Sequence, residues 1–154
     1  MGVEIERKFL VRNDSWRAAV ISESELKQGY IAQREGLSVR VRIKGEKGFL
    51  TIKSGMGIRR GEFEYEIPRA DAEQLLRDSA ESGCIEKTRY RVRSGAHVWD
   101  LDVFGGDNAG LVVAEIELAR EDETFEIPGW VGAEVSGDPR YYNVNLARTP
   151  FARW

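Results

Sequence analysis

Residues 3–11 read VEIERKFLV, in which Glu4, Glu6 and Lys8 alternate with Val3, Ile5 and Phe9. Successive side chains of a β-strand point to opposite faces, so the spacing predicts a strand. One face is apolar and packs. The other presents two carboxylates and an ammonium in a row, and that row is either a wetted surface or the wall of a site.

The same period recurs down the chain. LSVRVRIKG (37–45) sets Val39, Val41 and Ile43 against Arg40, Arg42 and Lys44, and the turn GEKG leads into FLTIKS (49–54), which predicts a hairpin. Further strands are expected at 25–33 (interrupted by Gly29), 62–68, 85–94, 97–104 and 111–119. A short helix is expected in NDSWRAAVI, where Asn13, Asp14 and Ser15 are good N-caps. Two more are expected at 70–83, with Asp71 near the start and Gly83 past the end, and around 141–147. About eight strands with short turns predict a mainly β (α+β) fold, an antiparallel sheet or barrel with a few flanking helices. No repeat, low-complexity run or linker divides the chain, so residues 1–154 are expected to be a single domain.

The totals narrow the classes. A chain of 154 residues can bury a sizeable core, and 42% hydrophobic with 32% charged residues excludes disordered and fibrous classes. A net charge of −3 gives no general case for nucleic-acid or membrane partners. Cys84 stands alone, which rules out an internal disulfide and suits a reducing compartment. Without a signal-peptide pattern or a long apolar run, the expected location is the cytoplasm.

The polar faces of the strands are sorted by sign. Carboxylates occupy 4 and 6, then 62, 64 and 66, then 100 and 102, then 115 and 117; cations occupy 40, 42 and 44, then 53, then 87, 89, 91 and 93. A solvated sheet face is the ordinary explanation for charge. Such a face mixes Ser, Thr, Gln and single charges, however, and gains nothing from gathering like charges that repel. Closed into a barrel, the charged face turns inward, where isolated charges are very unfavourable. Ions of both signs resolve this: carboxylate pairs suit a hard divalent cation such as Mg²⁺, and Arg and Lys rows suit phosphate oxygens. The implied chemistry is metal-assisted phosphoryl transfer.

EIERKF, QGY, RVR, TIKS, EFEYEI, EKTRY, DLDVF, AEIE and GAEVSGDPRYYN follow one another in this chain. This series resembles the triphosphate tunnel metalloenzymes, the CYTH superfamily, over nearly its whole length, and the short chain is similar to the bacterial inorganic triphosphatases. The resemblance implies an eight-stranded antiparallel barrel forming a tunnel, a triphosphate substrate, and Mg²⁺ or Mn²⁺. It implies metal-binding roles for Glu4, Glu6, Glu115 and Glu117, with Glu64 and Asp102 as further or water-mediated contributors and Glu62 after them. It implies phosphate-gripping roles for Lys8, Arg40, Arg42, Lys53, Lys87 and Arg89, with either Arg59 or Arg60 reaching the mouth. Lys87, Lys53 and, in QGY, Tyr30 are the implied proton acceptors; Tyr30 reads equally well as a residue that orders a neighbour.

The expected reaction is hydrolysis of tripolyphosphate to pyrophosphate and phosphate. The alternatives are hydrolysis or cyclisation of an organic triphosphate (nucleotide, thiamine, or as in class IV adenylyl cyclases), a non-catalytic polyphosphate-binding module, or a charged structural barrel. Monomer and homodimer both remain open. His97 is expected at the surface, Cys84 as a small buried residue, and the four tryptophans in packing. GMGIRRG lacks the strand–GxxxxGK[ST]–helix setting of a P-loop and reads as a mobile connection over the mouth.

Overall fold

A computed structural model of the chain describes residues 2–81 and 83–154. The alternating segments become strands β1 (Val3–Val11), β2 (Val20–Arg34), β3 (Leu37–Lys44), β4 (Lys47–Ser54), β5 (Arg59–Ile67), β6 (Ile85–Ser94), β7 (His97–Phe104), β8 (Val112–Glu117) and β9 (Val131–Glu134). Two α-helices, α1 (Arg69–Asp78) and α2 (Asn143–Arg148), flank them. Strands β1 to β8 close an antiparallel barrel in the order β1-β8-β7-β6-β2-β3-β4-β5, with β5 returning to β1. Tight turns at Gly45 and Gly95 adopt φ of +58° and +59°, which glycine tolerates without a Cβ clash.

The barrel has its apolar faces outside. Ile5, Phe9, Val92, Trp99, Leu101 and Ile116 pack with Trp16, Leu118 and Trp130 from the segments that wrap the strands. Trp99 lies at the centre, edge-on to Phe9, Phe125 and Trp130 with ring centroids 5.5, 5.8 and 5.3 Å away. Trp16, Trp99 and Trp130 are buried, as packing residues should be, and Trp154 is the exposed exception. A second cluster joins Tyr30, Ile85 and Phe104 to Tyr141, Leu146 and Ala147, seating the C-terminal stretch on the barrel. Helix α1 sets Ala72 and Leu76 against Val41. Its close approach explains two strand glycines. A Cβ at Gly48 would stand 2.7 Å from the Ala72 Cβ, and one at Gly29 3.0 Å from Leu76 Cδ2.

Several boundaries differ from the expected ones, each for a tertiary reason. Strand β2 begins five residues early because its first half pairs with β6 and its second with β3. Strand β5 begins at Arg59, inside the expected glycine-rich connection, since Arg59, Arg60 and Gly61 pair with Ile5, Glu4 and Val3 to close the barrel. Strand β9 has no alternation of its own and is recruited by β1, where Val131 faces Val11. The expected helix at 70–83 stops at Asp78, and Glu81 N–H then donates to Tyr30 O at 3.0 Å, pulling the chain back to β2; Ser82 lies outside the described residues. The first expected helix is one 3₁₀ turn at Ser15–Ala19, in which Asn13 Oδ1 accepts from Ser15 N. Cys84 is exposed rather than buried, because it sits in the loop after α1 and outside the apolar clusters. No helix among the described residues is long and apolar enough to cross a membrane.

Candidate active site

The inward faces of the strands enclose a cavity of about 220 Å³. Strand pleating delivers Glu4, Glu6 and Lys8 from β1, Tyr30 from β2, Arg40 and Arg42 from β3, and Lys53 from β4 to its wall. Glu62 and Glu64 come from β5, Lys87 and Arg89 from β6, and Glu115 and Glu117 from β8. Of the two arginines that open β5, Arg60 lines the cavity and Arg59 is exposed on the other side of the pleat. Asp102 lies behind the wall, fully buried, with its carboxylate spent on Lys87 and Arg89.

The carboxylates crowd one part of the wall. Glu6 stands opposite Glu117 in the ladder, and Lys8 opposite Glu115. Burial first, and then the neighbouring Glu115, push the Glu6 carboxyl up to about 8. Burial also disfavours ionised Glu115, but Lys8 and then Arg89 and Lys87 overcome it and hold that carboxyl well below its ordinary range. The two neighbouring acids are thus pushed in opposite directions, Glu6 up and Glu115 down. Glu4 is bound by Lys53 Nζ at 2.8 Å and Arg60 Nη2 at 3.1 Å, while Lys53 also reaches Glu62 at 3.4 Å. Glu64, at the exposed rim, accepts from Thr51 Oγ1 at 3.0 Å and lies 3.5 Å from Arg40.

Among the described residues no three Asp, Glu, His or Cys side chains already converge as a metal-holding group. The donor chemistry nevertheless fits a hard divalent ion: every candidate atom is a carboxylate oxygen, and a cation would relieve the repulsion between Glu6 and Glu115. The raised Glu6 value carries a sign. A carboxyl that holds its proton more tightly folded than unfolded stabilises the fold at low pH, and this contribution is lost as pH climbs from 4.5 towards about 8. In chelator, the melting temperature is expected to fall across that window, and calorimetry against pH checks it. Glu115, displaced the other way, stabilises the fold above its ordinary range and loses that contribution only as pH falls below it.

A buried polar chain runs through the cationic wall. Arg89 grips Asp102 with two hydrogen bonds, Nε to Oδ1 at 2.8 Å and Nη2 to Oδ2 at 3.0 Å. Lys87 Nζ donates to Asp102 Oδ2 at 2.7 Å and to Asn143 Oδ1 at 2.9 Å. Gln28, fully buried, accepts from Arg42 Nε at 2.8 Å. Burial lowers the Lys87 amine to about 7, against the pull of Asp102 and with help from Arg89 and Arg42. Burial likewise lowers Arg42 to about 9, with Arg40 and Arg89 adding to it.

Sequence reasoning had left Asp100, Gln28, Tyr142 and Asn143 unassigned. Asp100 was visible in the alternation of β7, and it lines the cavity 3.6 Å from Arg89. Gln28 is uncharged and so dropped out of a charge pattern. Tyr142 and Asn143 come from the C-terminal stretch, which has no strand period. The residues set aside stay away from the cavity: His97 Nε2 lies 2.7 Å from Glu123 Oε2 in the outer aromatic cluster.

The CYTH domain model matches residues 2–145. The chain is 46% identical over 153 residues to an inorganic triphosphatase of Acetivibrio thermocellus, covering 98% of this chain and 97% of that one. It is 36% identical over 148 residues to an inorganic triphosphatase of Nitrosomonas europaea, covering 94% and 96%. Among solved structures, that of the inorganic triphosphatase NE1496 superposes with a TM-score of 0.69 at 35% identity, covering 94% of this chain and 93% of that one.

Proposed function

Because the chain belongs to the CYTH domain family, we propose that its charged tunnel hydrolyses inorganic triphosphate, releasing pyrophosphate and phosphate, with Mg²⁺ or Mn²⁺. The observation that carries this reading is the cavity wall, where rows of cations face crowded carboxylates and, among the described residues, Tyr30, Ser38, Tyr142, Asn143 and Val144 are the uncharged lining residues. A linear polyanion satisfies such a wall. A nucleobase or thiazole would find little apolar surface on which to stack.

In this mechanism Lys8, Arg40, Arg42, Lys53 and Arg89 grip phosphate oxygens, the arginines through paired hydrogen bonds. Glu4, Glu6, Glu115 and Glu117 would hold the divalent ion, with Glu64 at the rim as a further contributor. When bound, the ion polarises phosphoryl oxygens and lowers the pKa of water. Asp102 orients Lys87 and Arg89 instead of contributing directly to the metal. Lys87 is the proton acceptor: burial leaves its amine near neutral pH, where a base works best. The oxygen of the attacking water bonds to the terminal phosphorus, its proton passes to Lys87 Nζ, and the bridging P–O bond breaks to free pyrophosphate. Lys53 holds Glu4 and so serves first as a clamp, and Tyr30 orders the wall beside Arg40, its ladder partner.

The whole chain works as one domain in the cytoplasm, where a lone exposed thiol is compatible with reducing conditions. Its partner is the small-molecule substrate, with no nucleic acid or membrane required. Phosphate release from tripolyphosphate, ATP, thiamine triphosphate and pyrophosphate, with and without Mg²⁺ or Mn²⁺, tests the reading. Metal-dependent turnover fastest on tripolyphosphate is expected; preference for an organic triphosphate would overturn the substrate, and no turnover of any would overturn the mechanism.

A further inference from the structure

Asn143 lines the tunnel yet grips no phosphate in the scheme above, and it comes from α2 rather than from any barrel strand. We propose that Asn143 is a positioning residue that fixes the direction in which Lys87 Nζ faces the tunnel. This rests on the reading of the tunnel as a triphosphatase site.

The orientation of Asn143 follows from a chain of donors and acceptors. Arg42 has only hydrogens to offer, so at 2.8 Å from its Nε the Gln28 amide must present Oε1. The Gln28 Nε2 is thereby turned towards Asn143, 3.4 Å away, and Asn143 must present Oδ1 to it. The same Oδ1 accepts from Lys87 Nζ at 2.9 Å, while Asp102 Oδ2 accepts from that nitrogen at 2.7 Å. A tetrahedral nitrogen carries its own carbon and three further positions. Two of these are taken, by groups from β7 and α2. We assign the last position, whether it holds a third hydrogen or a lone pair, to the tunnel that Lys87 lines, with the Phe104 ring centroid 5.3 Å from Nζ as a further neighbour.

Asp102 alone would leave the amine free to rotate about one contact. The second contact is held firmly at both ends. Gln28 is fully buried, and α2 is seated by Leu146 and Ala147 against Tyr30, Ile85 and Phe104. The neighbouring Tyr141 carbonyl accepts from Lys8 Nζ at 3.1 Å, so the C-terminal stretch steadies two tunnel lysines.

The test is steady-state kinetics on tripolyphosphate with Mg²⁺ for wild type, Asn143→Ala and Asn143→Asp, with melting temperatures for each. The other cations still grip the substrate, so Asn143→Ala is expected to lower kcat by about 100-fold, as a displaced catalytic group does, with KM changed by less than about threefold. Asn143→Asp keeps an acceptor in place but its charge raises the Lys87 amine, so kcat is expected to recover to within about tenfold of wild type at the variant's own, more alkaline pH optimum, where the variants are compared. Equal impairment of the two variants, an effect on KM alone, or near-normal kcat in Asn143→Ala would overturn the assignment. Should Asn143→Ala not fold, Asn143→Leu, of similar volume, replaces it; failure of both to fold would overturn it in favour of a structural role. An inactive wild type would overturn the triphosphatase reading and this inference together, whereas an active wild type beside an unimpaired Asn143→Ala overturns the inference alone.

Discussion

Glu6→Gln should give a folded protein that turns over tripolyphosphate at least about 100-fold more slowly at fixed Mg²⁺, because even the outer partners of metal ligands cost 10- to 100-fold when lost. The same variant should melt at a higher temperature than wild type when both are measured in chelator at neutral pH. Gln has the shape of the protonated acid without its titration, and Glu6 holds its proton up to about 8 under burial and the field of Glu115. Glutamine therefore removes the cost of ionising a half-buried carboxyl beside another while deleting an oxygen proposed to bind the divalent ion. Opposite changes in activity and stability are the signature of a site residue that works against the fold. A charged structural barrel predicts no change in either. Paired phosphate-release and calorimetric measurements decide between them, and an unchanged rate would exclude Glu6 from the mechanism.

The largest effect on stability is expected at Asp102. Its carboxylate lies between Lys87 and Arg89 with no exposure, and both cations depend on it for charge. Asp102→Asn keeps the shape but strips Arg89 of its paired acceptor and Lys87 of the charge that offsets its burial, and breaking a buried pair in this way costs about 3–5 kcal/mol. The pH dependence supplies a second check. Burial raises the Asp102 carboxyl, but Arg89 and then Lys87 overcome that and bring it down to about 2. A depressed acid stabilises the fold above its ordinary 3.8, and the contribution is lost as pH falls towards about 2. Wild type should thus lose stability through that acid window, and Asp102→Asn should lose less. Asp100→Asn is the control: Asp100 is half-buried and its arginine contacts are 3.6 Å long, so a cost below about 1 kcal/mol is expected. Chemical denaturation of the three proteins at neutral and acid pH measures both effects; equal costs at 100 and 102 would contradict the buried triad.

Proposed members of one site recur in the sequence at period two, which is why so much of the cavity wall was legible in it. Glu4 and Glu6, Arg40 and Arg42, Lys87 and Arg89, and Glu115 and Glu117 each share a strand face by the pleat alone, whatever the strand later pairs with. Sign sorting then implied enclosure, because only a closed interior gives such rows something to bind. Arg60 and Arg59 could not be told apart because the barrel closure that assigns them a face is a pairing with β1, about 55 residues earlier in the chain. The long first half of β2 and the whole of β9 were hidden for the same reason: their backbones are strands because a neighbour offers hydrogen bonds.

By itself the sequence determined a β-rich chain whose charged faces must turn inward, since period two fixes the side of every strand residue without reference to any partner. Only the tertiary structure decided how those charges divide their labour. It set Asp102 behind the wall between Lys87 and Arg89, crowded Glu6 against Glu115, and brought Asn143 from the C-terminal stretch to Lys87. Those outcomes depend on distances of a few ångströms between residues far apart in the chain, and electrostatic and hydrogen-bond energies are decided at that range.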